Sequence, residues 1–245
     1  AKVSAIFISH VTSATGLVLP VKKICEAARE KGIVSIIDGA HAPGLIPLDL
    51  KSIDADFYFG NGHKWLMGCV GAAFLYVTNK YKLRLSPLMK NSYFEKGLAN
   101  PDKLLFEAGP TLYSYGMEYQ GTEDRGAQAV LGDAVSFREE IGVESVFERM
   151  SYLRNHCSSI MGGLGYERIS FSEDELRSPL VSYKIPKVDE PRAIYNFYQK
   201  YKIQIAMPVL RDDFSILRLS HAWFNQPEEY DELAGVLENV DCAEF

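Results

Sequence analysis

Residues 3–38, VSAIFISHVTSATGLVLPVKKICEAAREKGIVSIID, carry the pattern that decides the fold. Residues 3–9 are mostly apolar, which is typical of a strand covered on both faces. Pro20 opens a helical pattern that stops at Gly32, and residues 33–37 form a second apolar strand. This strand–helix–strand order predicts two parallel strands joined by a right-handed crossover.

The same reading continues along the chain. Two more short strands are predicted in the first half, at 55–59 and 71–77. The second half changes to helices at 123–141, 144–161, 190–201 and 227–239, interspersed with short strands near 166–170, 180–185, 203–207 and 215–220. We therefore predict an α/β protein with a partial mixed open sheet in residues 1–122 and a smaller α+β domain in residues 123–245.

Composition and charge argue against several classes of function. The 245 residues are 47% hydrophobic and 24% charged with a net charge of -6, which argues against a nucleic-acid or anionic-membrane surface. No apolar run is long enough to span a membrane. The four cysteines are scattered without metal-ligand spacing and fit a reducing, cytoplasmic compartment: Cys25, Cys69, Cys157 and Cys242.

The chain enters a buried-type strand almost at once, after Ala1. From this we expect that preceding sequence is missing. Such a chain would leave a sheet edge and apolar surface uncovered, so we expect it to be a weak catalyst by itself.

Polar clusters follow three of the predicted strands, in residues 9–16, 38–41 and 61–64. Ligands bind beyond the carboxyl ends of the strands in an open parallel sheet, so the three clusters should converge on one rim. Lys64 has apolar neighbours that should desolvate its amine and lower its pKa, as a Schiff-base lysine requires. The alternative is a surface lysine whose ammonium group reaches solvent.

Asp38 is ambiguous by itself. A carboxylate at the end of a buried strand is often only a capping or turn residue. A metal site is not predicted, because the five histidines are dispersed and no second carboxylate stands at ligand spacing.

Together these residues resemble a known family. The series Ser9-His10…Gly16, Asp38-Gly-Ala-His41 and Gly60-Asn-Gly-His63-Lys64-Trp65 resembles the cofactor half of the class V aminotransferases, which depend on pyridoxal 5′-phosphate (PLP). Within that family the chain is most similar to the isopenicillin N epimerase-like branch, which has cysteine desulfurase-like and sulfoxide-lyase relatives. The resemblance covers nearly the whole chain and implies a homodimer acting on a small amino acid.

The resemblance also implies roles around the cofactor ring. Lys64 would hold PLP as a Schiff base and move the proton at the substrate α-carbon. Asp38 would pair with the pyridinium nitrogen, so that the ring works as an electron sink. His41 lies where the family contacts the ring oxygen, and Ser13 lies where relatives often place an Asn near the ring.

Four further positions match the family's phosphate and substrate contacts. Asn61 and His63 lie where relatives bind the phosphate, and Thr122 resembles the threonine that reaches the cofactor of the neighbouring subunit. Arg218 resembles the arginine that binds the substrate α-carboxylate, for which its planar fork is suited. The alternative for Arg218 is a salt bridge at a strand edge.

Two departures keep the function open. The N-terminal segment with which the family completes the phosphate site is not found before Ser9, and residues 203–213 lack the nucleophilic cysteine of cysteine desulfurases. Cys69 follows Lys64 closely, but we expect it to be a packing residue.

The first hypothesis is a PLP enzyme catalysing epimerisation, transamination or C–S cleavage. The second is an inactive subunit or remnant with the same fold. A Rossmann domain is disfavoured because the first strand has no Gly-x-Gly-x-x-Gly after it.

Overall fold

A four-stranded sheet forms the first half of the protein. A computed structural model describes residues 2–82, 85, 125–171, 173–210 and 213–240. The strands are adjacent in chain order, β1 (Ala5–Ser9), β2 (Val34–Asp38), β3 (Phe57–Asn61) and β4 (Ala73–Val77). The first three are parallel, and β4 runs antiparallel to β3. The predicted mixed sheet is therefore confirmed.

Helix α1 (Val21–Glu30) links β1 to β2. Its buried residues Val21, Cys25 and Ala28 recur at helical spacing, and the first two pack in one apolar cluster with Ile37 and Tyr58 of the sheet. Two short helices follow later, α2 (Leu50–Ile53) and α3 (Asn79–Lys82). The crossover thus has the strand–helix–strand form that the sequence predicts.

The second half packs helices against a two-stranded antiparallel sheet. The helices are α4 (Gly126–Ala129), α5 (Leu131–Ile141), α6 (Val143–Gly163), α7 (Glu190–Tyr201) and α8 (Pro227–Asn239). The strands are β5 (Leu180–Ile185) and β6 (Ser215–Ser220), with Ser182 opposite Arg218. Leu153, Phe197, Leu217 and Leu233 belong to their shared core.

Several details differ from the sequence predictions. The strands expected at 166–170 and 203–207 are reduced to single bridges, Arg168 to Tyr183 and Ala206 to Arg218. Pro208 has no N–H to extend the second of these bridges. The helix expected over 123–141 is divided at Val130.

The proposed domain boundary near 122 lies outside the described residues and stays a prediction. Among the helices that the structure describes, none combines the length and apolar character needed to cross a lipid bilayer.

Candidate active site

The carboxyl ends of β1, β2 and β3 meet at one rim, as the sequence predicts. Ser9 pairs with Asp38, and Asp38 pairs with Phe59, so the three strands end side by side. The backbone N–H of His10 donates to the carbonyl of Asp38 at 2.7 Å, which joins the first loop to the second. The sheet register therefore brings together the polar clusters that lie far apart in the chain.

Asp38 is fixed at this rim by local hydrogen bonds. Its Oδ1 accepts from the backbone N–H of Ala40 at 2.9 Å. Nearby, His10 Nδ1 lies 2.9 Å from the hydroxyl of the fully buried Tyr58. Burial, together with the negative charge of Asp38, raises the pKa of Tyr58 well above its ordinary value. Both causes favour the neutral phenol of Tyr58.

Lys64 and His41 form the centre of the site. Lys64 Nζ lies 3.3 Å from His41 Nε2. Burial lowers the pKa of Lys64, with a smaller contribution from Arg218 in the same direction, whereas Asp38 opposes the shift. The expected desolvation of Lys64 is thus confirmed in direction. Burial, reinforced by the positive charges of Lys64 and Arg218, also lowers the pKa of His41 to about 4.

A neutral His41 has a defined proton arrangement. When Nε2 accepts from the Lys64 ammonium group, the ring proton is on Nδ1. That Nδ1 is buried, and no hydrogen-bond partner for it exists among the described residues. A buried donor without an acceptor is costly, so this atom is suited to a ligand oxygen.

The loop that carries Lys64 is held from α5 by a residue that the sequence analysis missed. Arg138 is only 4% exposed and donates to the carbonyls of Trp65 and Gly44, each at 2.9 Å. Gly44 has φ +80°, and a Cβ there would lie 2.5 Å from the Trp65 carbonyl oxygen. The backbone that follows Lys64 is therefore joined to the backbone that follows His41.

Arg218 reaches the same site from β6. Its Nη1 donates to the Ser13 carbonyl at 2.8 Å and to the Ser13 hydroxyl at 3.2 Å. Its Nε is buried and has no hydrogen-bond partner within the described residues. Among the described residues Arg218 therefore donates to Ser13 rather than to a carboxylate, and its Nε is left without a partner.

A cavity of about 410 Å³ brings together Lys64, His41 and Arg218, whereas Asp38 and Ser13 are not among its lining residues. Its lining combines three cationic or imidazole side chains with apolar surface: His41, Lys64, Trp65, Met67, Leu180, Arg218, Ser220, Ala222 and Phe224. The volume falls within the range of small-molecule sites. The cavity lies between loops of the first half and strands β5 and β6 of the second, so both halves build it.

The other predicted site residues stand apart from this lining. Asn61 ends β3 opposite Ala73, and His63 Nδ1 lies 3.2 Å from the carbonyl of Ala72. Neither lines the cavity that the described residues form. Their role at the phosphate stays a prediction, and Thr122 lies outside the described residues.

Cys69 corrects one expectation. It is exposed rather than packed, because it lies in the turns between the Lys64 loop and β4. Within the part of the chain that the structure describes, no group of three or more His, Cys, Asp or Glu side chains could hold a metal ion.

Buried histidines should make the fold sensitive to acid. Burial lowers the pKa of His10, His41 and His221 from 6.5 to about 4 each. Between about pH 6.5 and pH 4 the unfolded chain therefore binds protons that the folded chain excludes, so stability is lost as the pH falls. We expect the urea midpoint to decrease over this window, and to decrease less in His221→Phe. A midpoint that is constant from pH 7 to pH 4.5 would contradict this prediction.

Comparison with known proteins identifies the family. The model of the family described as aminotransferase class-V matches residues 1–210. The chain belongs to the class V aminotransferase family. Isopenicillin N epimerase of Streptomyces clavuligerus is 31% identical over 95% of this chain, and a putative L-cysteine desulfhydrase of Oryza sativa subsp. japonica is 28% identical over 95%. The matches cover 59% and 50% of those two class V relatives.

Solved structures support the class V fold. The apo cysteine desulfurase from Thermococcus onnurineus NA1 superposes with a TM-score of 0.78 at 18% identity, over 96% of this chain and 59% of that one. At that identity the likeness shows the fold alone. The chain thus spans 59% of the length of this solved structure. It also spans 59% of the isopenicillin N epimerase and 50% of the putative L-cysteine desulfhydrase.

The cofactor of class V aminotransferases is PLP, and the residues of this site fit it. Lys64 offers an amine of lowered pKa, and His41 offers a buried Nδ1 that has no hydrogen-bond partner among the described residues. Asp38 places a carboxylate at the same rim. An amine, an imidazole and a carboxylate therefore suit an aromatic ring that bears an aldehyde, an oxygen substituent and a basic nitrogen.

Proposed function

We propose that this chain forms the lysine-bearing part of a PLP enzyme that removes the α-proton of a small amino acid. The reaction would be epimerisation, transamination or C–S cleavage, since all three begin with the loss of that proton. When bound, the cofactor supplies the electron sink for this step. The convergence of Lys64, His41 and Arg218 on one cavity carries the proposal.

Lys64 is assigned to cofactor attachment and to proton transfer. Because its pKa is lowered by burial, a larger fraction of its side chain is the neutral amine at a given pH. Only that form is nucleophilic or able to accept a proton. His41 Nε2, 3.3 Å away, is placed to orient the amine and to accept from its protonated form.

Arg218 is assigned to the α-carboxylate. Its Nη1 is engaged by Ser13, whereas its buried Nε remains unpaired among the described residues. A carboxylate oxygen at Nε would satisfy that donor through a charge-assisted hydrogen bond. Burial lowers the pKa of Arg218 without neutralising it, so the positive charge remains available.

Asp38 is assigned to the basic nitrogen of the ring. It carries a carboxylate at the end of β2, and its charge acts on Lys64 and His41 in the direction opposite to burial. A carboxylate that holds a proton on the ring nitrogen favours withdrawal of electrons from the substrate.

The test is covalent trapping at a single lysine. The polypeptide that carries this sequence is mixed with PLP, its visible absorption is recorded, and borohydride is added. Peptide mass mapping should then find the reduced adduct on Lys64. Lys22→Ala is the matched control, because Lys22 is an exposed partner of Ser52. An adduct on any lysine other than Lys64 would overturn the assignment.

Cysteine is expected to play no part in the reaction. Burial raises the pKa of Cys25, and it raises the pKa of Cys157 to about 12, so neither supplies a thiolate. Residues 203–213 contain no cysteine. We expect the unchanged chain to form no persulfide, and C25A, C69S, C157A and C242S together to retain activity, measured by sulfide and product assays.

Cys69→Ser alone serves as the control for this prediction, because Cys69 is exposed and close in sequence to Lys64. If that single change removed activity while folding and PLP content stayed intact, Cys69 would take part in the chemistry.

A further inference from the structure

Loop 13–16 is held by an unusual row of contacts. Four consecutive backbone carbonyls, those of residues 13, 14, 15 and 16, each accept a hydrogen bond from a side chain of the second half. The donors are Arg218 Nη1 at 2.8 Å, Ser182 Oγ at 2.6 Å, Ser170 Oγ at 2.6 Å and Ser178 Oγ at 2.6 Å, in that order. We call this set of four contacts the carbonyl clamp.

The clamp follows from the geometry of β5 and β6. Ser182 of β5 stands opposite Arg218 of β6, so two cross-strand neighbours hold two successive carbonyls. The backbone N–H of Ser182 donates to Ser170 Oγ at 3.0 Å, which leaves the Ser170 hydroxyl proton for Thr15. Gly16 has φ +67°, and a Cβ there would lie 2.1 Å from the Leu180 carbonyl oxygen. The loop backbone therefore lies directly on β5.

The position of this loop decides which edge of Arg218 is free. The Ser13 carbonyl and hydroxyl both engage Nη1, so the guanidinium cannot turn that edge to the cavity. Within the described part of the chain, Nε has no partner and is the donor that a ligand could use. If the loop shifted, Ser13 would release Nη1 and the guanidinium would lose its fixed rotation.

We propose that Ser182 and Ser170 are positioning residues for carboxylate recognition. They hold Ala14 and Thr15 so that Ser13 orients Arg218, and neither needs to touch the ligand. This inference rests on the proposed function for the identity of the ligand group, an α-carboxylate. It concerns residues for which the family resemblance implied no role.

The test compares two ligands that differ only in that group. L-Alanine and L-alaninamide are titrated against the PLP-loaded polypeptide, and the ratio of their dissociation constants is measured from the absorption change. Ser182→Ala and Ser170→Ala should each reduce the preference for L-alanine by roughly 10-fold, with unchanged PLP content. Ser35→Ala is the control, since Ser35 is a buried serine like Ser182 whose hydroxyl bonds Asp56 rather than loop 13–16.

Arg218→Ala separates the two proposals. If it abolishes the preference but Ser182→Ala and Ser170→Ala do not reduce it, the positioning role is wrong and the carboxylate role stands. If Arg218→Ala leaves the preference intact, the carboxylate role fails and the positioning role falls with it.

A second measurement needs neither cofactor nor ligand. Hydrogen–deuterium exchange of residues 12–19 should accelerate several-fold in Ser182→Ala and Ser170→Ala, but not in Ser35→Ala. Equal exchange in all three variants would overturn the clamp regardless of the binding result.

Discussion

Replacing Lys64 with alanine is expected to reduce α-hydrogen exchange in an amino-acid substrate by ~10²–10⁴-fold, the contribution typical of a positioned acid–base group. The reason is that Lys64 supplies the amine of lowered pKa at the centre of the cavity, 3.3 Å from His41. The measurement is deuterium incorporation at the α-carbon in D₂O, followed by mass spectrometry across a mixture of amino acids. Because this assay detects the first proton loss, it does not require the final product to be known.

The controls for Lys64 separate charge from nucleophilicity. Lys64→Arg keeps a cation but offers no readily available neutral amine, so it should be as impaired as Lys64→Ala. Lys22→Ala should exchange at the wild-type rate. Within the described residues, the Lys22 amine donates to the exposed hydroxyl of Ser52, away from the cavity lining. Exchange in Lys64→Ala within a few-fold of wild type would show that another base performs the step.

Asp38→Ala is expected to lose turnover by ~10²–10³-fold while retaining part of its PLP, the loss typical when one preorganised electrostatic partner is removed. Lys64 remains available for attachment in this variant, so binding and turnover should separate. The measurement combines PLP content after gel filtration with the exchange rate described above. Near-normal turnover would refute the pairing of Asp38 with the ring nitrogen.

A matched carboxylate controls for damage to the sheet. Asp56 precedes β3 at the opposite end of the same strand pair, where its Oδ2 accepts from the backbone N–H and the hydroxyl of Ser35. Asp56→Asn should therefore lower stability without lowering exchange in the folded fraction. If it reduced exchange as much as Asp38→Ala does, the loss would reflect sheet disruption rather than the charge of Asp38.

Much of the fold was predictable because strong patterns agreed at several levels. The apolar runs around residues 3–9 and 33–37 are separated by a helical pattern. This order predicts two parallel strands joined by a right-handed crossover. Strand order then brings Asp38 to the rim, and desolvation of Lys64 follows from its apolar neighbours. These features were expected from local sequence and confirmed in the structure.

Arg138 could not be predicted in the same way. An arginine in an amphipathic helix ordinarily lies on the solvated face, and Phe137 beside it has the more apolar side chain. The structure shows the opposite arrangement of these two side chains. Phe137 is 53% exposed, whereas Arg138 is buried against two backbone carbonyls. Backbone acceptors have no sequence signature, so the reason to bury Arg138 is visible only in three dimensions.

The single bridges at 168 and 206 show another limit. Both segments have the composition of strands, but each makes only one bridge to the β5–β6 pair. Propensity predicts an extended backbone, and the number of ladder contacts depends on neighbours that a local pattern does not specify. The segments at 166–170 and 203–207 were accordingly the least predictable elements of the second half, whereas the strands at 180–185 and 215–220 have the predicted bounds.

The carbonyl clamp has a consequence for the evolution of this protein. Every amino acid has a backbone carbonyl, so the clamp contacts of residues 14 and 15 do not depend on which side chains those residues carry, whereas Ser13 also engages Arg218 through its hydroxyl. Substitutions at positions 14 and 15 would keep these two contacts, so the loop would keep its course. Gly16 is the exception, since any larger residue would collide with β5. A lineage that explored new substrates would therefore have two adjacent positions open to change beside one that is closed.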